Sequence, residues 1–131
     1  MKLDAIGIVA SNMKLSIQFY QLLGLNFSAC SNDQEMEDHI EATTESGLRL
    51  MLDSESLMKQ LKPNWVKPEG QRMTLAFLCD SPEKVNDLYA KVLKAGFKGE
   101  KEPWDAFWGQ RYASVIDPDG NSVDLFAPLD N

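Results

Sequence analysis

Residues Ile6–Tyr20 read IGIVASNMKLSIQFY, and residues Leu75–Tyr89 read LAFLCDSPEKVNDLY. Each stretch opens on an apolar strand-like run, passes through a polar cap and enters helical spacing that reaches a tyrosine at the same step. One offset, from Ile6 to Leu75, also carries Tyr20 to Tyr89, so the chain reads as two copies of one unit. Ser11 or Asn12 caps the first helix. In the second, Asp80-Ser81 caps and Pro82 takes a first-turn position, where its missing N–H costs nothing. Val85, Leu88, Tyr89, Val92 and Leu93 recur at the spacing of one buried helical face. Met13, Ile17 and Tyr20, widened by Phe19, Leu22 and Leu23, do the same in the first copy. Gly24 and Gly96 close the helices, where a left-handed residue favours glycine.

Three strand-like segments follow each helix. In the first copy they are Asn26–Cys30, His39–Glu45 and Gly47–Asp53; in the second, Lys98–Pro103, Arg111–Asp117 and Ser122–Ala127. Asp117-Pro118-Asp119-Gly120-Asn121 supplies the turn residues of a tight hairpin. The expected fold is therefore α+β: two tandem βαβββ modules forming a cupped mixed sheet with helices on its convex face. Residues 1–53 make the first module and 73–131 the second. Ser54–Arg72 links them, with a short helix expected in SESLMKQL and a loop in PNWVKPEGQ. Four strands per copy are few for independent stability, so one domain spanning 1–131 with a shared core is expected.

Strand alternation assigns faces. Ile6, Ile8, Leu48, Leu50, Leu52, Val123 and Leu125 point to the helices. Ala5, Gly7, Val9, Arg49, Met51, Asp53, Thr74, Ala76, Leu78, Ser122, Asp124 and Phe126 point the other way, where small side chains leave room for a ligand.

The 131 residues fit one domain, and no apolar run approaches the ~20 residues that span a bilayer. The opening MKLDAIGIVAS reads as a first strand and not a signal peptide. Net charge is −7, with acidic residues dense in Asp33–Glu41, so phosphate-backbone recognition is not expected. Acidity attracts cations, although it also keeps proteins soluble. Cys30 and Cys79 form no metal or redox spacing and read as free thiols of a reducing, cytoplasmic compartment. Cys79, following Phe77 on the helix-facing side, reads as core. The chain has one histidine and no glycine-rich phosphate loop, so no Ser-His-Asp or Cys-His arrangement is available beyond His39, which leaves proton transfer by Asp124 or Tyr112 open if burial shifts a pKa. His39 reads as a solvated strand residue, or as a ligand that recruits Glu41 on the same face.

The repeat resembles the vicinal oxygen chelate superfamily, which includes glyoxalase I, bleomycin-resistance proteins and extradiol dioxygenases. The resemblance rests on VASNMKLSIQFYQLLGL, LAFLCDSPEKVNDLYAKVLKAGF and FWGQRYASVIDPDGNSVDLFAPL in that order. The last is closest to the bleomycin-resistance and glyoxalase-like branch. It implies paired modules and a homodimer. In metal-dependent members His or Glu ligands stand on the first and last strands, at positions that fall here on Ala5, Met51, Thr74 and Asp124. Alanine has no donor, and a thioether or hydroxyl suits a hard cation poorly. One carboxylate does not hold a catalytic metal. Neither a metal nor another cofactor is therefore expected.

The expected function is binding of a small organic molecule, cationic or aromatic, in an acidic cup rimmed by rings. Trp108, Phe107 and Tyr112 would stack on it, and Arg111 would hold an anionic or carbonyl group. Met51, Thr74, Asp124 and Arg49 would line the cup, with Arg49 pairing Asp53 or Asp124 across the sheet. Trp104, Phe107 and Trp108 read alternatively as closing a loop over the core or as dimer contacts, equally well for Trp108, and Trp65 reads first as a packing residue. The rival reading is a lyase, isomerase or dioxygenase-related enzyme with an atypical metal site that uses Asp124 with His39 or Glu41.

Overall fold

A computed structural model describes residues 1–27 and 38–129. The chain divides into two compact units, Met1–Lys67 and Pro68–Asn131.

In the first unit β1 (Ala5–Ala10) leads to α1 (Met13–Leu22), β2 (His39–Thr43), β3 (Arg49–Ser54) and α2 (Glu55–Leu61). Asn12, not Ser11, caps α1: its side chain accepts from Leu15 N at 3.1 Å, satisfying a first-turn donor. Ser16, Phe19 and Tyr20 form the buried stripe of α1. That stripe lies against β3, whose Leu50 and Leu52 are buried. The sheet order is β1-β3-β2, with β1 parallel and β2 antiparallel to β3. A bridge between Phe27 and Ala42 places Phe27, within the expected Asn26–Cys30 strand, beside β2. Its residues 28–30, Cys30 among them, lie outside the described residues.

The second unit repeats that order with all four strands. Its elements are β4 (Leu75–Leu78), α3 (Pro82–Lys94), β5 (Lys98–Ala106), β6 (Gln110–Ile116) and β7 (Ser122–Pro128). The order is β4-β7-β6-β5, β4 parallel to β7 and the rest antiparallel. Among the described residues the strands thus form two mixed sheets, one per module. Ser81 caps α3, accepting from Lys84 N, and Pro82 opens the helix. α3 packs on β5, β6 and β7 through Val85 and Val92, against Ala113, Val115, Val123 and Leu125. Full burial of each such Val or Leu contributes about 1.5–3 kcal/mol. Leu93, expected in this stripe, is exposed. Cys79 is half-buried, and burial pushes its thiol pKa up.

Two local devices fix the second unit. Asp117, almost fully buried, accepts from Asp119 N, Asn121 N and Asn121 Nδ2 at 2.8–2.9 Å, which closes the β6–β7 turn. Gln71 ties the approach to β4 onto β7 by donating to Met73 O and Ser122 O and accepting from Ser122 N. β5 runs three residues past the expected end at Pro103. As an edge strand it accommodates proline, and its pairing register shifts between Lys101 and Trp104.

Candidate functional site

The second sheet has a helix-covered face and a face of rings. Tyr112 pairs with Phe126 on β7 and with Trp104 on β5, so these three share the side away from α3. The Tyr112 and Phe126 rings lie nearly parallel with centroids 6.0 Å apart. Trp108, from the β5–β6 turn, meets Tyr112 at 5.3 Å, Trp104 at 5.6 Å and Phe107 at 5.0 Å, each edge to face. These are favourable aromatic geometries. The Trp108 indole N–H donates to Gln110 Oε1 at 2.7 Å. Trp108 is about half exposed and Phe107 is 91% exposed, so the wall is not a closed core.

Beside the rings stands Asp124, opposite Ser114 on β6 and Ala76 on β4. Tyr112 Oη donates to Asp124 Oδ2 and Ser114 Oγ to Asp124 Oδ1, both at 2.7 Å. Burial pushes the Tyr112 phenol up to about 12, and the hydrogen bond to the Asp124 carboxylate adds to the shift. The phenol therefore stays a donor at neutral pH. Trp108, Phe107 and Tyr112 come together with Asp124, which alternation had put on this face. Arg111 does not join them. It shares the helix side with Ala113, where its Nε donates to Asn86 Oδ1 on α3 and its Nη1 pairs with Asp105, each at 3.0 Å. Thr74, exposed, precedes β4 near the Gln71 clamp.

The first sheet carries a charged face. His39 pairs with Asp53, Glu41 with Met51, and Thr43 with Arg49, which puts all six on the side away from α1 together with Ala5 and Gly7. His39 Nδ1 lies 2.5 Å from Asp53 Oδ1 and its Nε2 lies 3.2 Å from Glu41 Oε2. The same Glu41 oxygen accepts from Arg49 Nη1 at 2.7 Å, and Arg49 Nη2 reaches Asp4 at 2.6 Å. Arg49 is thus paired with Glu41 and Asp4, not with Asp53 or Asp124 as the cross-sheet expectation held. The hydrogen bond to Asp53 raises the His39 pKa, burial opposes it, and Glu41 adds to the rise. The bond from Arg49, then that from His39, holds the Glu41 carboxyl below its ordinary range. In its protonated form His39 donates from both nitrogens to carboxylates, one of them on the largely buried Asp53. The sequence left this network unread, because it depends on which β3 residue faces His39. Alternation alone signalled that the residues share a face.

The family model for the glyoxalase/bleomycin resistance protein/dioxygenase superfamily matches residues 2–125. The chain belongs to this superfamily. Members with solved structures share its fold. A glyoxalase/bleomycin resistance protein/dioxygenase family enzyme from Burkholderia phytofirmans PsJN superposes with TM-score 0.84 at 17% identity, covering 98% of this chain and 100% of that one. A glyoxalase-related enzyme from Fulvimarina pelagi gives 0.83 at 17% identity, over 97% and 88%. Lactoylglutathione lyase from Agrobacterium tumefaciens gives 0.69 at 16%, over 96% and 92%. No curated protein matches the chain.

The metal that some members of the superfamily carry does not fit the residues at the four corresponding positions. Ala5 has no donor atom. Met51 offers a thioether, with its Cε 3.5 Å from where a Cβ on Gly7 would stand. Thr74 offers a hydroxyl. Asp124 directs both oxygens at hydroxyl donors of its own sheet. Among the described residues no three His, Cys, Asp or Glu side chains are arranged to hold a metal ion.

Proposed function

We propose that the protein binds a small aromatic or cationic molecule without a metal, using the ring wall of the second sheet. The observation that carries this reading is the placement of the rings. The apolar core of that unit lies on the α3 side, yet Trp104, Phe107, Trp108, Tyr112 and Phe126 line the opposite face in continuous contact, part of it open to water. Covering about 100 Å² of such surface gains about 2.5 kcal/mol before association costs. Asp124 gives the wall a polar, anionic end. Thr74 is retained as a contact from beside β4, and Met51 and Arg49 belong to the first sheet's own face. Arg111 leaves the set. The reading takes the two modules as one domain of a cytoplasmic homodimer, with no nucleic-acid or membrane partner. Among the described residues no helix is long and apolar enough to cross a membrane.

Tryptophan emission titrated with flat aromatic compounds, neutral and charged, tests the proposal. It expects a saturable change with at least one compound that Trp108→Ala removes. No change with any compound, or an identical change in the variant, refutes it.

One observation favours an enzyme instead: His39 held by the largely buried Asp53 is the arrangement of an oriented acid–base group. Turnover of any small molecule that His39→Gln abolishes would establish that reading over simple binding.

A further inference from the structure

We propose that the ring wall selects an aromatic cation bearing hydrogen-bond donors, an arylamidinium or a protonated aminoheterocycle, with Asp124 as the selecting group. The inference rests on the binding role proposed above and names its ligand class.

A hydroxyl has one proton to give. Tyr112 and Ser114 each direct that proton to Asp124, one to each carboxylate oxygen. What the three groups leave for a visitor is lone pairs. A carboxylate or phosphate on the ligand would meet acceptors with acceptors, beside a negative charge. An amidinium or ring N–H meets acceptors only, and charge-assisted bonds of this kind are the strong ones.

The surroundings leave Asp124 reachable. Its cross-strand neighbour on β4 is Ala76, an exposed methyl, and beyond it Leu78, opposite Phe126, is 67% exposed. Same-face pairs along a strand repeat every ~6.6 Å. The Tyr112–Phe126 ring pair therefore stands about one aryl group away from the Ser114–Asp124 pair, and a ring lying on Tyr112 and Trp108 carries its substituent to Asp124. The wall already shows its taste for cations. Lys101 Nζ sits 5.0 Å from the Trp104 centroid, a cation–π contact that occupies Trp104 and leaves Trp108 and Tyr112 open.

The test uses three probes with one ring: benzamidine, benzamide and benzoate, titrated into the full chain at pH 7 and 0.15 M salt. Benzamidine is expected to bind at least about tenfold tighter than either of the others. Asp124→Asn should bring benzamidine to within about threefold of benzamide, whereas Asp80→Asn, at an exposed carboxylate off the wall, should keep the full preference. Ala76→Phe, a change at an exposed position that alters no charge, should weaken every probe. The inference fails if benzamide or benzoate matches benzamidine, if the preference survives Asp124→Asn or vanishes equally in Asp80→Asn, or if Ala76→Phe leaves benzamidine binding intact. Should Asp124→Asn not fold, the wild-type comparison and Ala76→Phe decide. If neutral rings bind in a Trp108-dependent way without any benzamidine preference, only this inference falls. If no ring compound binds, the binding role falls with it.

Discussion

Gly99 on β5 has no room for a side chain, and replacing it with alanine measures how firmly α3 is seated on the sheet that carries the ring wall. A methyl built there lies 2.7 Å from Tyr89 Cζ and 3.0 Å from Cε2, with Tyr89 Oη also inside contact distance. Carbon atoms prefer about 3.5–4.0 Å, so the ring must retreat by roughly 1 Å. It cannot do so freely, because Val85 and Val92 on the same helix are fully buried. Forcing a methyl into such a contact costs about 1–3 kcal/mol. Alanine recovers about 0.5–1 kcal/mol by reducing the freedom of the unfolded chain. Taken at the midpoints of these ranges, the net expectation is a loss of about 1 kcal/mol, a few degrees in Tm. Urea unfolding of wild type, Gly99→Ala, Tyr89→Ala and the double variant measures it. In the Tyr89→Ala background Gly99→Ala should be neutral or stabilising. An equal cost in both backgrounds, or none in the wild type, would refute the packing argument.

Three further outcomes follow from the charged and polar groups. Because the His39 pKa is raised, its pairing with Asp53 and Glu41 stabilises the fold fully below the ordinary value near 6.5, and that contribution is lost as pH rises through the folded value; stability–pH curves should show this loss and His39→Gln should abolish it. Glu41, lowered mainly by Arg49, works in the opposite sense, its contribution being lost as pH falls through its folded value. Phenol absorbance should show Tyr112 ionising at about 12, and Asp124→Asn should return only part of the shift, since burial is the larger cause. Asp117→Ala removes the acceptor for three donors in the β6–β7 turn and should cost about 2–3 kcal/mol in chemical unfolding; a cost under ~0.5 kcal/mol would show that water replaces the carboxylate.

The repeat made the fold legible, because capping, helical spacing and turn chemistry are local and each appears twice. Both sheets keep one strand order, and the bridge at Phe27 falls where the fourth strand of the first copy was expected. Alternation put Asp124 and Phe126 on one face, since both lie within a regular strand, whereas Tyr112 and Arg111 were read from the aromatic run Phe107–Tyr112 as a motif. That grouping misplaced Arg111, which is odd-numbered on β6 and so shares a face with Ala113. The partners of Arg49 and His39 were not legible. They depend on the pairing of β2 with β3, and on Asp4 approaching from just ahead of β1, neither of which periodicity encodes. Trp104 entered the wall because β5 continues past Pro103, an extension that an edge strand permits and a central strand would not.

The proposed binding role requires a wall that grips its ligand through rings and hydrogen bonds, without a metal. Its most direct test is elemental analysis of the purified protein, paired with ring-compound binding before and after chelator treatment. Far less than one equivalent of nickel, zinc, iron or manganese per chain is expected, with binding unaltered by the chelator. One equivalent of metal per chain, with binding lost on chelation and restored by adding the ion, would overturn the metal-free reading.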